Sequence, residues 1–135
     1  MTETIDPALY RGVIPYLNVI GAAEASAFYQ KAFAARELSR KPADDGKRLM
    51  HCHLEINGGY LMMSDCFPEY GHPHQPSDSF TMMIIGDDID TWWDRAVAAG
   101  CEIVMPLDVQ FWGDRYGQVR DPFGVSWAFN EPAKG

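Results

Sequence analysis

Long apolar runs are missing from this 135-residue chain. Spanning a bilayer takes ~18 consecutive apolar residues and no stretch reaches that, so no membrane partner is expected. Basic clusters are scarce as well. The densest set is Arg36, Arg40, Lys41, Lys47 and Arg48, which are spread out, and the formal net charge is −8. Gripping a phosphate backbone needs a basic face, so nucleic acid is not an expected partner. The acidity suits a cationic ligand or simply aids solubility. Only three cysteines are present, Cys52, Cys66 and Cys101. The count is odd, there is no CxxC, and no spacing matches a zinc ribbon. The opening Met1-Thr-Glu-Thr-Ile-Asp6 is polar and acidic, without a signal-peptide pattern. Together these features predict a cytoplasmic protein with reduced thiols. No glycine-rich loop follows a strand, so S-adenosylmethionine has no expected cradle.

What is present reads as one domain over residues 1–135. Apolar residues make up 47% of the chain, and a chain of this size buries roughly 68% of its unfolded surface. After a polar lead-in over 1–9, residues 13–19 read as a strand that Pro15 confines to an edge or a start. Residues 22–34 predict a helix, with Ala23, Ala27, Phe28, Ala32 and Phe33 as its apolar stripe. A strand over 36–40 and a loop over 42–46 follow. Residues 49–56 alternate: Met50, Cys52, Leu54 and Ile56 on one face, His51, His53 and Glu55 on the other. Asn57-Gly58-Gly59 is a hairpin turn into a strand over 60–64.

Three prolines, two histidines and a glycine then make a long connection. A strand over 80–85 leads to a second helix with Asp87 or Asp88 as its N-cap. Ile89, Trp92, Trp93, Ala96 and Val97 form its apolar face, and Gly100 ends it. A strand begins at 102–105. The last hairpin turns at Asp121-Pro122-Phe123-Gly124, where Pro suits the second turn position and Gly the positive φ. Beyond it Val125, Trp127 and Phe129 alternate with Ser126, Ala128 and Asn130.

The order strand, helix, strand, strand, strand occurs twice. Phe28-Tyr-Gln-Lys-Ala-Phe-Ala-Ala35 matches Trp92-Trp-Asp-Arg-Ala-Val-Ala-Ala99 at an offset of 64. The segment from Asn57 to Asp65 matches that from Asp121 to Asn130 at 64 to 65. This predicts duplicated βαβββ modules over 10–65 and 79–131, joined by a linker over 66–78. One such module is marginal alone. Two paired modules would enclose a cup, and residues facing it are the candidate site.

His51-Cys-His53 stands out. The two imidazoles share one strand face about 6–7 Å apart. They suit a general base or a metal site, or equally two hydrogen-bonded histidines in a polar cavity. Asp65 is a candidate acid or ligand anchor at the rim, or a strand-ending cap. His72 and His74 in the linker could add zinc ligands or lie in solvent. Trp112 and Tyr116 could stack on a flat or cationic ligand, with Asp114 and Arg115 pairing together beside them. Met62, Met63, Met82 and Met83 read as pliable packing. Cys52 points away from its flanking histidines, which disfavours a Cys-His nucleophile.

Several stretches together resemble one family. They are Ile14-Pro-Tyr-Leu-Asn-Val19, Phe28-Tyr-Gln-Lys-Ala-Phe33, Met50-His51, Leu61-Met-Met-Ser-Asp65, Met105-Pro106, Phe111-Trp-Gly-Asp-Arg-Tyr-Gly117 and Asp121-Pro-Phe-Gly124. The chain resembles the vicinal oxygen chelate superfamily (glyoxalase/bleomycin resistance/dioxygenase), and within it the PhnB-like branch, from Tyr10 to Phe129. The resemblance implies an α+β fold of two paired βαβββ modules forming a cup-shaped mixed sheet, a homodimer, and a small-molecule ligand.

In metal-dependent relatives the first and last strands of each module supply His, Gln or Glu to a divalent ion. Here the matching places hold Ile14 (or Tyr16), Met63, Thr81 and Ala128, so the ordinary metal centre is expected to be missing and no cofactor is predicted. The expected ligand pocket is Tyr16, Met63, Thr81, Trp112, Asp114, Tyr116 and Ala128. Two functions stay open. One is a small-molecule binder like the bleomycin-resistance members. The other is an isomerase, lyase or dioxygenase type of enzyme with His51 or His53 as base or as relocated ligand of a divalent metal.

Overall fold

A computed structural model describes residues 11–134. The lead-in over 1–9, and Tyr10, where the first module was placed to begin, lie outside the described residues. The first module runs β1 (Tyr16–Val19), α1 (Ala22–Phe33), β2 (Arg36–Pro42), β3 (Leu49–Ile56) and β4 (Gly59–Asp65). A single 3-10 turn, Pro68–Tyr70, interrupts the connection. The second module runs β5 (Met82–Ile85), α2 (Ile89–Ala99), β6 (Glu102–Val109), β7 (Arg115–Arg120) and β8 (Ser126–Glu131). Each makes a four-stranded mixed sheet, ordered β1-β4-β3-β2 and β5-β8-β7-β6. In each the first strand lies parallel to the last and the other pairs are antiparallel. The architecture is α+β with the βαβββ order repeated. Two compact units result. Among the described residues the first holds 11–30 and Ala34–His74, and the second holds Lys31–Phe33 and 75–134.

Local chemistry explains the hairpins. Asn57 and Gly58 carry φ of 51° and 79°, the left-handed pair that a two-residue turn requires and that Asn-Gly tolerates. In the last hairpin Gly124 has φ 86°, and Asp121 does more than open the turn. Its carboxylate accepts the N–H groups of Phe123 and Val125 and the indole N–H of Trp127.

The helices differ from expectation in two respects. The buried stripe of α1 is Ala22, Ala25, Ser26, Tyr29, Ala32 and Phe33, whereas Ala27 is exposed and Ala23 and Phe28 are half-buried. Tyr29, the largest side chain near mid-helix, takes the core and rotates the face toward itself. Neither helix is capped by a local side chain. Asp88 holds the N-cap position of α2 but bonds the Thr91 hydroxyl. The cap comes instead from the end of each module's last strand. Asp65 accepts the N–H groups of Gly21 and Ala22, and Glu131 that of Ile89 at 3.4 Å. The negative charge in each case meets the positive end of a helix dipole.

The caps also correct the register of the repeat. Cys52 and Ser26 of α1 both hydrogen-bond Glu37 Oε1, so Cys52 lies on the α1 side of its sheet. Its register neighbours Met63 and Leu17 lie there too. In the second sheet Trp93 of α2 meets Phe129, with ring centroids 5.8 Å apart. A Cβ on Gly117 would lie 2.6 Å from Trp93 Cζ3. Phe129 and Gly117 are register partners, so they form the α2 side. Met63 therefore corresponds to Phe129, and not to Ala128 as the sequence match implied. The helices begin 67 residues apart, at Ala22 and Ile89, not 64. The shared Ala-Ala ends mislead: Ala34 is the left-handed C-cap of α1, while Ala98 and Ala99 are still helical.

Candidate functional site

Each sheet has one face under its helix and one turned away. On the first sheet the face turned from α1 carries Tyr16, Asn18, His51, His53, Tyr60, Met62 and Ser64, by the register of β1, β3 and β4. The Tyr16 hydroxyl stands 3.2 Å from His51 Nδ1, a hydrogen bond whose direction follows the imidazole tautomer. Ser64 donates to Asn18 Oδ1 at 3.2 Å. The His51 and His53 rings are 6.4 Å apart, as strand spacing predicts. Their accessibility differs. His53 is fully buried, with the Tyr60 ring edge-on at 5.6 Å. His51 is half-buried and Tyr16 is 47% exposed. A molecule arriving from solvent therefore meets the Tyr16–His51 pair, and His53 lies beneath.

On the second sheet the face turned from α2 gathers five of the predicted pocket residues: Thr81, Trp112, Asp114, Tyr116 and Ala128. Thr81 donates to the Ser126 hydroxyl at 3.3 Å, and Gln118 donates to the Tyr116 hydroxyl at 2.7 Å. Ala128 is fully buried between Met83 and Gln118. The Trp112 and Tyr116 rings stand 5.6 Å apart, and Phe111 packs edge-on against Trp112. Asp114 accepts the Ala133 N–H and the Asn130 amide. These donors, the Ala133 N–H foremost, hold its carboxyl below the ordinary range. Arg115 does not pair with Asp114. It forms a two-pronged bridge to Asp90 at 2.7 Å and reaches Glu131 at 3.9 Å, because β-strand alternation sends neighbouring side chains to opposite faces.

Two expected site residues fall elsewhere. Met63 is fully buried on the α1 face; Met62 takes the place on the open face, since one residue of register moves a side chain through the sheet. Asp65 is 4% exposed, and both its oxygens are engaged. Oδ1 accepts Gly21 and Ala22, and Oδ2 accepts the Leu49 N–H at 2.7 Å. It ties the α1 start to β3 and serves as a structural cap. His72 is exposed and His74 half-buried. Among the described residues no three His, Cys, Asp or Glu side chains come within reach of one ion. Burial, then Glu37, pushes the Cys52 thiol up to about 12, which leaves it protonated at neutral pH.

Sequence reasoning missed Gln118, Asn130 and Ser126. The signal was there: all three alternate with buried aromatic or aliphatic residues in the last two strands.

A profile of the Glyoxalase/Bleomycin resistance protein/Dioxygenase superfamily matches residues 8–129. The chain belongs to this superfamily. An uncharacterized protein of Mycobacterium tuberculosis is 41% identical over 140 residues, covering 99% of this chain and 79% of that protein. The crystal structure of TioX from Micromonospora is 28% identical with a TM-score of 0.70, covering 93% of this chain and 98% of that one. A PhnB protein from Bacillus cereus shares the fold at 24% identity and a TM-score of 0.69, covering 90% of this chain and 100% of that one. No helix among the described residues is long and apolar enough to cross a membrane.

Proposed function

We propose that this protein binds a small organic molecule on the polar-aromatic faces described above and does so without the superfamily's ordinary metal centre. The observation that carries the reading is the side-chain chemistry of those faces. At the first- and last-strand positions of the open faces stand Tyr16, Met62, Met83 and Ala128, with Thr81 just before β5 and Ser64 and Asn130 two residues on. Phenol, thioether, hydroxyl, methyl and amide groups do not fit a hard or borderline divalent ion, which takes imidazole or carboxylate. They do suit an aromatic or amphipathic ligand, with Trp112, Tyr116 and Tyr16 as stacking surfaces.

The resemblance of Ile14 to Val19 and of Phe111 to Gly117 supports a place in the PhnB-like branch. A cytoplasmic location is part of the same reading, supported by three free buried cysteines. So is a homodimer. Met83, Ile85, Ile103, Val104 and Val109 are exposed on the two edge strands of the second sheet, and apolar edges of this extent favour a partner.

A second reading rests on the Tyr16–His51 hydrogen bond. A tyrosine hydrogen-bonded to a half-buried imidazole suits the general base of an isomerase or lyase.

The test is a thermal-shift screen of aromatic and amphipathic compounds, followed by calorimetry and product analysis on each hit. The binder reading predicts stoichiometric binding, no turnover, and at least fivefold weaker affinity in Trp112→Ala and Tyr16→Ala. Turnover abolished by His51→Ala would establish the enzyme reading instead. One tight divalent ion per chain, lost on changing His51, would sink the metal-free proposal.

A further inference from the structure

We propose that a cavity outside these faces, between the loop after β2 and the connection after β4, is a second ligand site that takes a small aromatic or quaternary ammonium cation. Its volume is about 540 Å³, within the range of small-molecule sites. Met50, Phe67 and Tyr70 give it apolar and aromatic walls, with Asp44, Arg48 and His72 completing the rim.

The charge arrangement selects the ligand's sign. Arg48 is the one guanidinium in the lining, and it is already engaged. It bridges Asp45 on one side and Glu69 on the other, and its guanidinium carbon lies 4.3 Å over the Phe67 ring. Glu69, then Asp45, push the Arg48 pKa further up. An incoming anion would have to displace two carboxylates from it. Asp44 makes no hydrogen bond or ion pair among the described residues. Asp44 and Asp45 in the lining outnumber its one guanidinium, and Glu69 beside Arg48 adds a further negative charge, so this rim is net negative. A cation is therefore favoured, and Tyr70, 75% exposed, with its ring 6.3 Å from that of Phe67, supplies a π-face to hold it.

Both walls are built before any ligand arrives. The Phe67 and His72 backbones exchange hydrogen bonds at 2.8 and 3.0 Å, and Tyr70 N–H donates to Phe67 O at 3.0 Å. Arg48 Nη1 adds a bond to Cys66 O. Across the cavity Asp45 accepts the Lys47 and Arg48 N–H groups. A preformed pocket loses little affinity to loop ordering. This explains the compact clasp at Phe67–His72 in a stretch whose prolines and histidines read as plain linker.

The experiment is an NMR titration of the full chain, isotope-labelled, with benzyltrimethylammonium, and with phenylacetate as the anionic comparator. Saturable shifts are expected at residues 43–45 and 67–72 with the cation, and at least tenfold weaker binding of phenylacetate. Tyr70→Ala should weaken the cation about fivefold and Asp44→Asn about threefold. Both side chains are exposed, so melting temperature should stay within a few degrees of the parent and serves as the folding check. The proposal is overturned by absence of saturable shifts at those residues, by equal affinity for phenylacetate, or by unchanged binding in both variants. The site shares no residue with the Tyr16–His51 or Trp112–Tyr116 faces, so its failure leaves the proposed function standing and the reverse also holds.

Discussion

Replacing Asp65 separates a structural carboxylate from a catalytic one. The side chain is 4% exposed and accepts three backbone N–H groups, from Gly21, Ala22 and Leu49. Asp65→Ala leaves those donors without partners next to a helix start. Each buried unsatisfied donor costs about 1–3 kcal/mol, and the lost charge at the α1 N-terminus adds about 0.5–1 kcal/mol. Gly21 is only half-buried and water can reach it, so about 4 kcal/mol is expected. Asp65→Asn keeps one acceptor oxygen but turns an amide toward the remaining donors, for about 2 kcal/mol. With unfolding entropy of about 2 cal/mol/K per residue over 135 residues, these losses lower the melting temperature by about 14 °C and 7 °C. Urea unfolding followed by circular dichroism measures both, with the denaturant slope unchanged if the native fold is intact. A loss below about 1 kcal/mol in the alanine variant would refute the capping argument. An unchanged melt combined with lost ligand binding would return Asp65 to the functional site.

Three further outcomes follow from the same geometry. Gly117→Ala places a Cβ 2.6 Å from Trp93 Cζ3 and 2.8 Å from the Leu107 Cα, and should cost about 1–3 kcal/mol by overpacking, read from thermal melts. Phe33 stacks on Trp127 with centroids 4.1 Å apart and is fully buried, so Phe33→Ala should lose about 3–5 kcal/mol in urea unfolding. Burial foremost raises the Cys52 and Cys101 thiols from 9.0 to about 12. A raised folded pKa means the native state holds these protons after the unfolded chain has released them. Stability should accordingly be intact below pH 9 and fall as pH climbs from about 9 toward 12. Calorimetry across that window checks the sign, and both thiols should resist alkylation until the protein is unfolded.

Which strand residues share a face was legible because strand chemistry is local. Period-two alternation places His51 and His53 on one face whatever surrounds them, and Thr81, Tyr116 and Ala128 fall on one face of the second sheet, Thr81 level with Ser126 and Tyr116 with Asn130. Burial was not legible. Nothing in the order of residues says that His53 is fully covered while His51 keeps access. The face of Met63 was misread for a related reason. A single residue of offset between two similar modules inverts a side chain's side, and amphipathic helices rich in alanine align equally well at several offsets.

By itself the sequence determined the twice-repeated βαβββ element order, the turns at Asn57-Gly58 and Asp121 to Gly124, and the superfamily. Each depends on neighbours within a few residues or on the accumulated match of many. The tertiary structure alone decided what a carboxylate is for. Asp65, Glu131 and Asp121 look like strand ends and turn residues, yet Asp65 and Glu131 complete helices more than 40 residues earlier in the chain. Asp45 and Glu69 engage Arg48 and leave Asp44 as the cavity's open charge. Hydrogen-bond partners brought together by folding set these roles, and no local pattern encodes them.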